Sequence, residues 1–267
     1  MKTSLALVIA GLALALLGAC RKHEEPVHRT EPWLAHPSAS GTDATAAGTA
    51  PRRFHFNPDS RVRFSLLGRK GKLSGSAPVQ SGSLQLDPRD LTHTSATLTV
   101  DLAALTVDDS NLPEGMALGM SPSAVAQQWL ELGAEVPAEK REQFRVARFE
   151  LSSVEGWSGA ALDFSGRRRT TVRVTAVGTL LLHGFRAPVR VELALTPQAA
   201  EPGAGGHPGK LSIRSASALV LPLAPHDISA RSPSGVVDAA ATARATDFIG
   251  KNARIELELL AEPESAN

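Results

Sequence analysis

The residues of this chain that could carry out chemistry are scattered rather than grouped. Its eight histidines lie at positions 23, 28, 36, 55, 93, 183, 207 and 226; none forms an H-x-H, H-x-x-x-H or H-x-x-E-H group, and three lie in the predicted tether. His183 lies between an apolar segment and Gly184, so we expect it to have a turn or surface role. No metal ion, haem or other cofactor is therefore expected.

Two glycine-containing segments carry only part of a catalytic motif. Segment 203–210 has Ala204 where a phosphate-binding loop needs its first glycine, and Leu211 follows where Ser or Thr would bind Mg²⁺. Ser158 lacks the glycine spacing of a nucleophile elbow, and no helical pattern follows it. We therefore predict that the protein is not an enzyme, and a hydrolase is the least favoured function.

The composition is that of a globular protein with almost no net charge. The 267 residues include 28 Lys and Arg against 27 Asp and Glu, and this balance argues against a nucleic-acid-binding protein. Apolar residues make up 42% and aromatic residues only 4%, so small aliphatic side chains are expected to leave space inside the core. The basic groups at 167–169 and 69–72 are predicted to be solvated loop charge, with contact to lipid phosphates as the alternative.

The single cysteine, Cys20, is the most specific signal near the N-terminus. Lys2 precedes an apolar stretch that has the shape of a secretory signal and is shorter than the roughly 20 residues of a membrane-spanning helix. The sequence Leu17-Gly18-Ala19-Cys20 resembles the bacterial lipobox, and this resemblance implies cleavage before Cys20 and acylation of that residue. The alternative is an ordinary signal peptide with a cysteine at this place by chance.

The first 53 residues of the chain are thus predicted to be an anchor and a tether. We expect a lipoprotein signal peptide over 1–19 and a lipid-anchored, disordered tether over 20–53, because 21–53 is rich in proline and small polar residues. The expected location is the periplasmic face of the cell envelope. Arg21 rather than Asp follows the cysteine, which favours the outer membrane of a Gram-negative bacterium.

Apolar and polar residues alternate from Phe54 onward. Val62, Phe64 and Leu66 alternate with charged or hydroxyl residues, and the same pattern recurs up to Ile255, Leu257 and Leu259. Such a period of two is typical of antiparallel strands with one dry face. About eight strands exceed what an open sheet accommodates without exposed edges, so a closed barrel is predicted over 54–262, with a tail at 263–267.

One segment has helical rather than strand periodicity. Ser121 followed by Pro122 is a helix start and Gly133 a helix stop, and an apolar stripe of Val125, Trp129 and Leu132 lies between them. A second short helix is predicted from Pro137 to about Gln143. The barrel is therefore expected to carry a helical insertion over 108–145.

The segment Val177-Gly178-Thr179-Leu180-Leu181-Leu182-His183-Gly184-Phe185-Arg186-Ala187-Pro188-Val189 resembles the central signature of the YceI-like polyisoprenoid-binding family. Gly82-Ser83-Leu84-Gln85-Leu86-Asp87 and the closing strand at 255–259 are similar to two further family strands. The family's Arg-x-x-Phe-Gly element is missing, because 223–228 has neither the Arg nor the Phe.

The resemblance implies an all-β, lipocalin-like antiparallel barrel that binds, carries or buffers a polyisoprenoid or similar long-chain lipid. An eight-stranded barrel is just wide enough for side chains or one slender ligand. The alternative is a barrel with a dry core that binds a protein partner, not identified by the sequence, through the 108–145 insertion. The apolar positions expected to line the barrel are Phe64, Leu66, Leu98, Val100, Trp129, Phe149, Leu151, Val174, Leu181, Val191 and Leu193.

Overall fold

The computed structural model describes residues 28–29, 51–108, 121–166, 170–200 and 209–264. These residues form β1 (His28–Arg29), β2 (Arg52–Phe56), β3 (Arg61–Leu67), β4 (Lys72–Asp87), β5 (Asp90–Asp101), β6 (Thr106–Asp108), β7 (Val146–Glu155), β8 (Val172–Leu182), β9 (Phe185–Pro197), β10 (Leu211–Ser215), β11 (Leu219–Pro222) and β12 (Asn252–Pro263). The helices are α1 (Pro122–Trp129), α2 (Ala138–Phe144) and α3 (Ala239–Ile249), with a short 3-10 turn at Ala224–His226.

The strands close into one antiparallel barrel. The order of neighbours is β9, β10, β12, β2, β4, β5, β7 and β8, and β8 pairs with β9 along its whole length. β3 continues the wall that β2 begins between β12 and β4, and β11 pairs with β12 beyond β10. The predicted all-β antiparallel barrel with a helical insertion is confirmed.

The β8–β9 hairpin turns through two residues, His183 and Gly184. Their φ angles are +51° and +80°, and two consecutive positive φ angles are the requirement of the type I′ turn that matches the twist of paired strands. The expected turn role of His183 is therefore confirmed, but the expectation that it lies at the surface is wrong, because its side chain is only 1% exposed.

The start of α1 follows the prediction, whereas its end does not. The Ser121 hydroxyl accepts a hydrogen bond from the Ala124 amide at 3.2 Å, and Pro122 occupies the first turn. The helix ends at Trp129 rather than near Gly133. Glu131 there takes a left-handed conformation with φ +56°, in the position of a Schellman motif that glycine usually occupies.

The second predicted helix is confirmed as α2, and a third helix, α3, was not expected. Asp238 caps α3 by accepting a hydrogen bond from the Ala241 amide at 2.8 Å. Most of its apolar residues are alanines, which give no strong stripe in the sequence. Its last residue, Ile249, is buried against Leu66 and Leu73 of the barrel wall.

The two ends of the barrel are closed in different ways. Helix α1, β11 and the segment 223–231 cover one end. At the other end, the Leu162 amide donates a hydrogen bond to the Pro88 carbonyl oxygen at 2.8 Å, and Phe164 stacks on Phe54 with 6.0 Å between ring centroids. The described residues thus cover both ends of the barrel, one with a helix and a strand and the other with a loop.

The predicted signal peptide, Cys20 and most of the predicted tether lie outside the described residues. Residues 28–29 and 51–53 are the exceptions, since β1 pairs with Phe185 and Arg186 of β9 and β2 already begins at Arg52. None of the described helices has the length and apolar character needed to cross a bilayer.

Candidate functional site

An apolar cavity of about 210 Å³ lies inside the barrel at the end covered by α1 (the first cavity). Every side chain that lines it is apolar. The barrel wall contributes inward-facing positions of β3, β5, β7, β8, β9 and β12. The cover contributes Trp129 and Leu130 at the end of α1, Leu221 in β11, Leu223 just after β11, and Ile228. These residues create a space that attracts hydrocarbon and presents almost no polar surface.

A smaller cavity of about 80 Å³ lies toward the other end of the barrel (the second cavity). Thr94 is the only polar residue in its lining. Leu98, Phe149 and Leu257 line both cavities, so these three side chains form the partition between them (the waist). The barrel interior is therefore two apolar spaces in series, separated by one narrow layer of side chains.

Ten of the eleven residues predicted to line the barrel lie on the cavity walls. Those on the first cavity are Phe64, Leu66, Leu98, Val100, Trp129, Phe149 and Val191, and those on the second are Leu151, Val174 and Leu193, together with Leu98 and Phe149. Inward positions that the prediction missed include Leu102, just after β5, Leu182 of β8 and Val189 of β9. The alternation that identified their neighbours would have found them.

Leu181 is the exception, because it lies on the outer face of the barrel. It lines a shallow surface depression with Arg148 and Arg186, while Leu180 and Leu182 on either side of it line the first cavity. The three consecutive leucines give no alternation of their own. The period set by Val172, Val174 and Ala176 at the start of β8 identifies the even-numbered positions as inward.

Three phenylalanine rings of the cavity walls lie against glycines of the neighbouring strand. A Cβ placed on Gly75 would be 2.5 Å from Cζ of Phe64, and one on Gly82 would be 2.5 Å from Cδ2 of Phe56. A Cβ on Gly178 would be 2.6 Å from Cε2 and Cζ of Phe149. The glycines thus let the rings lie close to the wall, and the space along the barrel axis stays open.

A buried polar cluster ties the cover of the first cavity together. Glu131, at the end of α1, is 2% exposed and accepts ion pairs from Arg231 at 2.7 Å and from Lys140 at 2.8 Å. Arg231 also pairs with Asp227 at 2.7 Å and donates a hydrogen bond to the Gly235 carbonyl oxygen at 3.0 Å. Since Leu130 and Ile228 line the cavity next to Glu131 and Asp227, this cluster holds two parts of the cover in place.

Two buried histidines complete the polar cluster. Nδ1 of His183 lies 2.9 Å from the His226 carbonyl oxygen, and Nε2 of His183 lies 3.7 Å from Glu131 Oε2. Burial lowers the pKa of both His183 and His226 below the ordinary range, so both imidazoles are neutral at pH 7. Left-handed φ angles at Glu131, His183 and Asp227 show that the cluster also holds backbone strain.

The other candidate residues of the sequence are not assembled into a site. Lys70 forms an ion pair with Asp247 of α3 at 2.6 Å. Residues 167–169 lie outside the described residues. In the part of the chain that the structure describes, no three His, Cys, Asp or Glu side chains are placed to hold a metal ion. The cavity is thus the feature of the described structure with a clear capacity for binding.

Comparisons with known proteins give similarity of structure but not of sequence. No family model and no curated protein matches the chain. The chain is similar to a polyisoprenoid binding domain from Saccharophagus degradans implicated in plant cell wall breakdown, with a TM-score of 0.47, 12% identity and coverage of 80% of this chain and 99% of that one. It is also similar to BcnA from Burkholderia cenocepacia, with a TM-score of 0.43, 14% identity and coverage of 75% and 95%.

Proposed function

We propose that the protein binds the hydrocarbon chain of a polyisoprenoid or similar long-chain lipid in the first cavity. The observation that carries this proposal is a space of about 210 Å³ inside the barrel that is lined by apolar residues throughout. An apolar cavity of about 150 Å³ in another protein stays dry and takes up benzene, so a larger one has ample capacity for a hydrocarbon. The sequence motif at 177–189 agrees with a polyisoprenoid ligand.

The energetics of such a ligand need no polar contacts. Each methylene moved from water into the cavity contributes about 0.8 kcal/mol, so a few methylenes balance the cost of immobilising the chain. Because the lining presents almost no polar surface, a polar head group would lose its hydrogen bonds to water by entering the cavity. The expected ligand is therefore an apolar chain whose head group stays at the cover or outside it.

Displacement of a fluorescent apolar dye tests this proposal. We expect N-phenylnaphthylamine to bind the purified protein and farnesol to displace it. In the variant Ala147→Phe the new ring occupies the space of at least two methylenes of the first cavity, so farnesol should bind about tenfold more weakly. The matched control is Ala240→Phe, at an exposed position of α3, which should bind as the wild type does. Farnesol affinity unchanged by Ala147→Phe would refute the proposal.

We further propose that the protein is a lipoprotein of the cell envelope, held in the membrane through acylated Cys20. The support is the lipobox-like sequence at 17–20. Two or three acyl chains anchor a protein stably where one chain gives only marginal binding. Labelling of cells with an alkyne-modified palmitate should mark the wild-type protein and leave Cys20→Ala unmarked, with the variant lost from the membrane fraction. A labelled Cys20→Ala protein would contradict the assignment.

The partner-binding alternative stays a prediction, but one observation bears on it. Trp129 of the predicted apolar stripe lines the first cavity, and Leu132 packs against the core. The apolar face of α1 is therefore used within the barrel, and a partner would have to contact other residues of the insertion.

A further inference from the structure

The waist between the two cavities consists of Leu98, Phe149 and Leu257, on β5, β7 and β12. Leu98 and Phe149 lie opposite each other on the neighbouring strands β5 and β7, whereas β12 lies across the barrel, so Leu257 faces the other two from the far wall. The void on one side is about 210 Å³ and the void on the other is about 80 Å³. A chain that fills the first cavity therefore meets the waist before it can reach the second.

The position of the Phe149 ring is fixed by what lies behind it. A Cβ on Gly178 would lie 2.6 Å from two ring atoms and closer still to the Glu150 carbonyl oxygen, so the ring already occupies the space of a missing side chain on β8. Because backbone stands behind the ring, it has no room to retreat into the wall. Widening the passage would require the other two waist residues or the strands themselves to shift.

We propose that Phe149 limits the length of the bound hydrocarbon chain by closing the first cavity at the waist. This inference rests on the proposed function, since it assumes that the first cavity binds such a chain. Chains short enough to end at Phe149 bind with all of their length buried. Longer chains leave their additional carbons outside the cavity, so the added length contributes no further binding.

Two of the phenylalanines that lie against glycines, Phe149 and Phe56, provide a matched pair of variants. Phe149→Ala opens the waist and joins the cavities, whereas Phe56→Ala enlarges only the second cavity, because Phe56 lines that cavity alone. The ring of Phe56 lies against Gly82 as the ring of Phe149 lies against Gly178, so the two truncations remove similar packing. Phe149→Leu is a milder change at the waist if the alanine variant does not fold.

The experiment measures displacement of N-phenylnaphthylamine by geraniol, farnesol, geranylgeraniol and solanesol, which share a head group and differ in chain length. For the wild type, affinity should increase along the series and then stop increasing once the chain reaches the waist. For Phe149→Ala, the increase should continue to a longer prenol, with about a tenfold gain in affinity for that compound relative to the wild type. Phe56→Ala should keep the wild-type limit.

Two results would overturn the inference in distinguishable ways. If the wild type binds the prenols but Phe149→Ala and Phe149→Leu keep the same length limit, the waist does not set it. If Phe56→Ala extends the length limit and the Phe149 variants do not, the chain already passes the waist in the wild type. The inference is then wrong as well. If the folded wild type binds none of the prenols and no dye, the proposed function itself fails.

Discussion

The substitution Gly178→Ala adds one methyl group at the closest contact between the barrel wall and the cavity. The new Cβ would lie 2.6 Å from Cε2 and Cζ of Phe149 and within contact of the Glu150 carbonyl oxygen. An ordinary contact between carbon atoms is about 3.5–4.0 Å, so the ring must move by about 1 Å toward the barrel axis. The carbonyl oxygen belongs to the β7–β8 ladder and can move only if the strand pairing is distorted.

The expected cost follows from these two contacts. Forcing an extra methyl group into a packed site typically costs about 1–3 kcal/mol, and the rigid backbone neighbour places this case near the upper value. For a domain of this size each kcal/mol corresponds to about 2–4 °C, so the melting temperature should fall by about 6–12 °C. The displaced ring also narrows the first cavity, and farnesol should bind more weakly.

Thermal unfolding followed by circular dichroism, with farnesol displacement in parallel, measures both effects. Gly133→Ala is the control, because a Cβ there meets only the Pro233 carbonyl oxygen at an ordinary 3.7 Å. That variant should unfold within about 2 °C of the wild type, since contacts of this kind change stability by less than about 0.5 kcal/mol. Equal melting temperatures for Gly178→Ala and the wild type would refute the argument that Gly178 provides the space for Phe149.

Three further predictions concern the polar cluster and the orientation of β8. Arg231→Met leaves the buried Glu131 carboxylate with only its Lys140 ion pair and should lower the free energy of unfolding by about 1–3 kcal/mol in urea denaturation. Arg190→Met, at the exposed pair with Glu155, should cost less than about 1 kcal/mol, and similar losses in the two variants would contradict a structural role for the cluster. Burial lowers the pKa of His183 and His226, so the unfolded chain binds more protons than the folded one below about pH 6.5, and stability should decrease from about pH 7 to about pH 5. His183→Gln should reduce this slope in urea denaturation measured across that range, and a slope unaffected by the substitution would be inconsistent with this origin. Leu180→Gln places an amide in the apolar cavity and should lower the free energy of unfolding by about 1–3 kcal/mol. Leu181→Gln, on the outer face, should lower it by less than about 0.5 kcal/mol, and the reverse order would mean that β8 faces the other way.

The barrel could be predicted from the sequence because its signal is local. Alternation such as Val62, Phe64 and Leu66 identifies a strand and its inward face within a few residues, and enough strands of this kind imply closure. The signal fails where a segment has no alternation. Leu180, Leu181 and Leu182 are identical in type, so only the phase carried over from the start of β8 distinguishes the inward positions from the outward one.

The polar cluster could not be predicted, because its members come from separate segments and form no motif. Glu131 follows α1, His183 lies in the β8–β9 turn, and Arg231 follows the 3-10 turn, so their proximity exists only after the barrel has closed. The left-handed conformation of Glu131 also contradicts its local preference and depends on the ion pairs around it. The contacts between phenylalanines and glycines have the same origin, since Phe149 and Gly178 meet only across the β7–β8 ladder.

Native mass spectrometry of the protein purified from its own host tests the proposed lipid binding most directly. We predict a noncovalent adduct with the mass of an apolar-chain lipid, present in the wild type and in Ala240→Phe and depleted in Ala147→Phe. The adduct should be recovered by organic extraction and should rebind to the delipidated wild-type protein. A wild-type protein that is free of lipid as purified, and that takes up neither farnesol nor longer prenols, would contradict the account.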